Sequence, residues 1–137
     1  MQTATVKWTG SQTFSATSPS GHTIAIDSDR NSNGGPGPME MLLMALGACT
    51  ATDVVIILEK KRQPLESLEV ICSGERAANP PSVWTKLDVL YRLRGKLDAG
   101  AVERAIELSE EKYCSVSATL RKLATLTWRY EILPPIA

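Results

Sequence analysis

Excess charge, paired cysteines and clustered histidines are all missing from this 137-residue sequence, which carries 15 basic residues, 15 acidic residues, three cysteines and one histidine. A formal charge of zero offers no basic surplus to neutralise phosphates or to seek an anionic membrane, so neither nucleic acid nor a lipid surface is an expected partner. With His22 as the lone histidine and no CxxC or HxxxH spacing, the sequence lacks a zinc site, and no metal is expected. A GxGxxG fingerprint and a phosphate-loop pattern are also absent. The prolines in Gly34-Gly35-Pro36-Gly37-Pro38 remove amide protons that a phosphate needs, so no nucleotide cofactor is expected. The N-terminal MQTATVKWTG lacks the apolar core of a secretory signal. Three thiols without a paired framework point to a reducing cytoplasm, where a disulfide is transient and catalytic rather than structural.

What is present describes one soluble globular domain spanning residues 1–137, with 43% hydrophobic residues. A chain of this size buries roughly 68% of its unfolded surface, so it folds without disulfides or metals. Alternation of Ala4, Val6 and Trp8, then of Phe14 and Ala16 after Gly10, predicts a hairpin, and Ile24 and Ile26 mark a third strand over about His22 to Asp27. Ser28 to Pro38 is polar and rich in Gly and Pro, the composition of a functional loop. Pro38 suits a first helical turn and Lys60, Lys61 and Arg62 suit a last one, which predicts a helix over residues 38–62.

Met41 to Leu58 is almost wholly apolar and approaches membrane-spanning length, but Asp53 lies within it and charged residues bracket it, so a buried core helix is expected. Its apolar residues point in nearly every direction, and a 137-residue chain with few helices cannot cover them all. A symmetric homodimer is therefore expected. Two further strands follow, over about residues 66–75 and 83–94. A helix N-capped by Asp98 runs to about Lys112, a short helix capped by Ser115 or Ser117 reaches Lys122, and a last strand carries Leu126, Trp128, Tyr130 and Ile132. The order is three strands, helix, two strands, helix, strand: an α+β domain with mainly antiparallel pairing.

Trp8, Trp84 and Trp128 fall on strands and read as packing residues, and Cys72 shares an inward strand face with Leu68 and Val70, where a thiol acts as a small hydrophobe. Cys49 lies mid-helix in apolar surroundings. Cys114 stands at a helix break, where a helix N-terminus and Lys112 would favour its thiolate; by physics alone it is the more reactive of the two. Each, taken alone, also fits an inert core position.

The run Gly37-Pro38-Met39-Glu40-Met41-Leu42-Leu43-Met44-Ala45-Leu46-Gly47-Ala48-Cys49-Thr50-Ala51 and the segment Glu111-Lys112-Tyr113-Cys114-Ser115-Val116 together resemble the OsmC/Ohr family of osmotically inducible and organic hydroperoxide resistance proteins, nearly end to end. The resemblance implies an OsmC-like βββ-α-ββ-α-β fold, an intertwined homodimer around paired central helices, and active sites at the subunit interface. It also implies a thiol peroxidase of stress defence, acting on organic hydroperoxides and hydrogen peroxide. In that scheme Cys49 attacks the outer peroxide oxygen to give a sulfenic acid, Cys114 resolves it as a disulfide, and an external dithiol restores both without metal or flavin. Arg30 is the loop arginine that corresponds to the family's thiolate-stabilising cation, and Glu40 is the glutamate that would hold it. Glu40 lies nine residues before Cys49, whereas the glutamate of the hydroperoxide resistance proteins lies ten before, which falls here on Met39. The alternative is a non-enzymatic dimer that binds an apolar small molecule such as a fatty acid.

Overall fold

The computed structural model describes residues 1–136, which fall into two compact units, Met1–Leu42 and a second from Leu43 onward. In the first, β1 (Thr5–Gly10), β2 (Thr13–Thr17) and β3 (Thr23–Asp27) form an antiparallel sheet in the order β1-β2-β3, with Trp8 opposite Phe14 and Phe14 opposite Ile26. Gly10 and Ser11 take positive φ at the first turn, which permits the tight reversal. Trp8 corrects an expectation. It does not pack in a core but stays 68% exposed, with its indole N–H donating to the Ser11 carbonyl at 2.8 Å.

A helix, α1 (Pro38–Lys60), begins where the sequence predicts, with Pro38 in the first turn, and ends two residues early. In the second unit its buried residues are Leu46, Thr50, Val54 and Leu58, a stripe at every fourth position. Met44 and Ile56 remain 59% and 44% exposed, so a single chain covers only one side of a helix that is long and apolar enough to cross a membrane by length and composition. The expected burial is confined to that stripe.

The stripe packs on a second sheet of β4 (Ser67–Arg76), β5 (Trp84–Arg94) and β6 (Thr125–Leu133), in that order. β5 is the central strand, and its alternate residues Leu87, Val89, Tyr91 and Leu93 are buried as their period-two pattern predicts. β4 pairs with β5 antiparallel, whereas β5 pairs with β6 parallel. A parallel pair needs a crossover, and α2 (Ala99–Leu108) and α3 (Ser115–Leu120) lie within it. Asp98 caps α2 as expected, accepting from the Ala101 N–H at 2.8 Å, and Val102, Ala105 and Ile106 face the core.

The predicted continuation of this helix to Lys112 is replaced by a π-helical turn over Ser109–Tyr113. Its consecutive polar residues Ser109 and Glu110 are both buried. The cap of α3 is also not a serine. Cys114 occupies the position, its sulfur accepting from the Ser117 N–H at 3.4 Å.

Because Leu46 is fully buried between α1 and this sheet, Leu46→Ala should cost about 2–5 kcal/mol in urea denaturation. Met44→Ala, on the exposed side, should cost far less in a monomeric sample.

Candidate functional site

Arg30 and Glu40 come together in the first unit. Arg30 Nη1 donates to Glu40 Oε1 at 2.8 Å and to Asn33 Oδ1 at 3.1 Å, while Nη2 donates to the carbonyls of Gly35, at 3.1 Å, and Asp27. Glu40 Oε1 also accepts from the Gly37 N–H at 2.8 Å, one half of a capping box at the start of α1. The pair therefore fastens the loop to the helix N-terminus, and the N–H groups of both Nη atoms are engaged.

Asp27, which sequence reasoning missed, organises the other end of the loop. It is fully buried, and its carboxylate accepts from the N–H groups of Asp29 and Gly34 and from the Ser32 hydroxyl. The Ser32 hydroxyl, then these two amides, hold its pKa below the ordinary 3.8, helped by the nearby Arg30 charge. An aspartate at a strand end followed by Asp, Ser and Asn is the signal that was available, since such side chains bond backbone amides two residues on.

In the second unit the Cys49 and Cys114 thiols are neighbours, close enough for Cys49 to influence the ionisation of Cys114, although the sequence separates them widely. Cys49 is half-buried on α1, beside Thr50, and Cys114 is 2% exposed. The expectation that Cys114 gains thiolate character is overturned. Burial pushes its pKa up, the neighbouring Cys49 adds to this, and the Ser117 hydroxyl and N–H offset only part of the rise. Lys112 stands 5.3 Å over the Tyr113 ring.

Cys72 is half-buried among the inward residues of β4, as expected, next to Gly47 of α1; a Cβ at position 47 would sit 3.3 Å from its sulfur. Burial, then the charges of Glu110 and Cys114, push the Cys72 thiol up to about 11. Leu43, Met44, Gly47, Ala48, Leu68 and Cys72 border an open apolar groove of about 440 Å³.

Behind the thiols lies a chain of buried polar groups that sequence reasoning did not anticipate. Thr50 Oγ1 lies 2.6 Å from Tyr91 OH and 2.8 Å from Ser109 Oγ. It donates its one proton to one of them at a time, because Ser109 donates to Asp53 Oδ2 at 2.9 Å and Tyr91 also donates to a carboxylate. Tyr91 donates to Glu110 Oε1 at 2.8 Å, and Arg121 Nη2 donates to Glu110 Oε2 at 3.0 Å and to its carbonyl at 2.8 Å. Burial raises the Tyr91 pKa, so this hydroxyl keeps its proton. Tyr91 falls on the alternating inward face of β5, which gave its position away but not its partners. Among the described residues no group of three or more His, Cys, Asp and Glu is placed to hold a metal ion.

These environments carry two expectations. Asp27 has a lowered folded-state pKa, so its contribution to stability is present above about 3.8 and is lost as pH falls through the lower folded value. Asp27→Asn should therefore destabilise the protein at neutral pH and flatten the acid limb of a stability-against-pH curve. At neutral pH, Cys72 should alkylate with iodoacetamide about tenfold more slowly than a thiol of ordinary pKa, since about 100-fold less thiolate is partly offset by greater intrinsic nucleophilicity. Peptide mass spectrometry over time measures it.

The sequence matches the OsmC-like protein family over residues 31–129. It is 43% identical over 131 residues to Protein YhfA of Escherichia coli (strain K12), covering 95% of this chain and 97% of that one. The fold recurs in an OsmC-like protein from Mycoplasma pneumoniae, with a TM-score of 0.85 at 16% identity over 97% of both chains. It recurs also in the organic hydroperoxide resistance protein OhrB of Bacillus subtilis, with a TM-score of 0.64 at 14% identity over 96% of this chain and 98% of that one. With its α+β architecture, its two cysteine segments and the family match in agreement, the chain belongs to the OsmC/Ohr family.

Proposed function

We propose that the protein is a thiol peroxidase that reduces organic hydroperoxides, and hydrogen peroxide as a smaller substrate, in stress defence. The observation that carries this reading is that the half-exposed Cys49 and the buried Cys114 are neighbouring free thiols. The Cys49 thiolate attacks the outer peroxide oxygen, the O–O bond breaks, and an alcohol departs with a proton, leaving a sulfenic acid. The Cys114 sulfur then attacks that of Cys49, the S–O bond breaks, and water leaves as the disulfide forms. An external dithiol returns both thiols, so the cycle uses no metal or bound cofactor, and it suits a reducing cytoplasm. The apolar groove beside α1 supports a substrate with a hydrocarbon tail.

In this reading Arg30, held by Glu40, is the candidate for the cation that favours the Cys49 thiolate and orients the peroxide. Both Nη groups already bond to the loop and to Glu40 of α1, so Arg30 offers its charge rather than a free N–H. The exposed apolar side of α1 supports a homodimer built on that helix. The groove also favours a second reading, a dimer that carries an apolar small molecule without turnover.

One equivalent of tert-butyl hydroperoxide, followed by thiol blocking and peptide mass spectrometry, separates these readings. A Cys49–Cys114 disulfide is expected; both cysteines remaining reduced would reject the peroxidase and favour the carrier. Cys49→Ser should abolish turnover, Cys114→Ser should stop at a single sulfenic acid, and Arg30→Ala should slow Cys49 oxidation. Sedimentation equilibrium should give twice the 14.9 kDa chain mass.

A further inference from the structure

Disulfide closure poses a problem that the peroxidase reading leaves open. Cys114 must lose a proton as it attacks, yet it is 2% exposed and its burial disfavours the thiolate. Bulk water is therefore poorly placed to take that proton. The surroundings of the thiol offer one path. Ser117 is fully buried, its backbone N–H donates to the Cys114 sulfur at 3.4 Å, which sets its hydroxyl beside that sulfur, and its Oγ lies 3.5 Å from Glu110 Oε1.

Resting on the peroxidase reading, we propose that Cys114, Ser117 and Glu110 form a proton relay, in which the Ser117 hydroxyl passes the Cys114 proton to the Glu110 carboxylate as the disulfide with Cys49 closes. Ser117 touches the reacting sulfur; Glu110 acts through Ser117. The Ser117 hydroxyl is both donor and acceptor, so it gives its own proton to Glu110 as it receives that of Cys114. The S–S bond forms and the S–O bond of the Cys49 sulfenic acid breaks. The leaving oxygen departs as water by taking up a proton from solvent, and Glu110 gives the Cys114 proton back to solvent, so the net change is one water formed. The 3.5 Å separation is long for such a bond, and resting-state contacts of this kind shorten when the reacting group is poised.

The remaining neighbours fit this assignment. Arg121 holds Glu110 Oε2 and leaves Oε1 to face Ser117, and Tyr91 of β5 donates to Oε1. Tyr91 keeps its proton because burial raises its pKa, so it orients the carboxylate without competing as an acid. Cys72 of β4, whose thiol is pushed up to about 11, is a neutral neighbour at physiological pH. From α1, Cys49 faces Cys114, and Asp53 reaches the cluster only by accepting from Ser109. On the π-helical turn itself, Glu111 and Lys112 are exposed.

The test follows Cys49 sulfenic acid and the Cys49–Cys114 disulfide separately, by rapid quench and peptide mass spectrometry after one equivalent of tert-butyl hydroperoxide, in wild type, Ser117→Ala and Glu110→Gln. Sulfenic acid should form at the wild-type rate in both variants, while closure slows about 100-fold, the low end of what a positioned base supplies. Wild-type closure should be nearly flat between about pH 6 and 8, whereas in the variants it should rise about tenfold per pH unit, following the thiolate fraction. Ser117→Ala keeps the Glu110–Arg121 pair, so it remains informative if Glu110→Gln fails to fold. Closure in Ser117→Ala with the rate and pH profile of wild type would overturn the relay alone. A wild-type protein that forms neither sulfenic acid nor disulfide would overturn the peroxidase reading and the relay with it.

Discussion

The hydroxyl of Tyr91 is the constraint around which the second unit is arranged. A tyrosine on the inward face of a central strand must find partners for its oxygen, because an unpaired buried hydroxyl costs about 1–3 kcal/mol. Its partners are Thr50 on α1 and Glu110 on the π-helical turn. Glu110 is in turn a buried carboxylate, tolerable only with a cation and further donors, which Arg121 supplies from the end of α3. The bonds thus join the helix, the central strand and the crossover. The π-helical turn carries the buried Ser109 and Glu110 to these partners and ends at Cys114, the neighbour of Cys49.

The same enclosure separates the three thiols by environment. Cys114 and Cys72 are both pushed toward the protonated form by burial, and each has a nearby group that reinforces the shift: Cys49 for the first, Glu110 for the second. A cluster of three equally ionised thiols would cross-link indiscriminately under oxidation. Here the Cys72 sulfur packs beside Gly47, where no side chain intervenes, while Cys114 neighbours Cys49 and takes the Ser117 N–H.

The strand alternation on β5, the Asp98 cap, the start of α1 at Pro38 and the inward face of Cys72 were legible because each depends on residues close together in the chain. The π-helical turn was not, because it is imposed by Thr50 and Tyr91 from distant segments. Cys114 was misjudged for a related reason. The helix N-terminus beside it can be read from sequence, but burial, the larger effect, is a property of the packed unit. The exposed Trp8 shows the opposite failure, since period-two alternation marks a strand face without saying that anything covers it. Resemblance singled out Cys49, Cys114, Arg30 and Glu40; the structure makes the first two neighbours and joins the last two by a hydrogen bond. It supplied neither Asp27, Glu110 nor Ser117.

A buried resolving cysteine also shapes how the proposed cycle ends. Once the disulfide has formed, an external dithiol meets Cys49 as the more exposed sulfur, so attack there expels Cys114 as the leaving group. A thiolate with a raised pKa leaves slowly, because expulsion slows as the basicity of the departing sulfur grows. The features that slow Cys114 as a nucleophile would slow it again as a leaving group. One arrangement meets both difficulties in the proposed cycle: the carboxylate that accepts the Cys114 proton during closure, once reprotonated from solvent, supplies a proton to the departing sulfur during reduction. Enclosure then ceases to be a handicap for the cycle. It keeps Cys114 protonated and unreactive toward stray disulfides, and it makes departure from that state depend on the Cys49 sulfur in front of it.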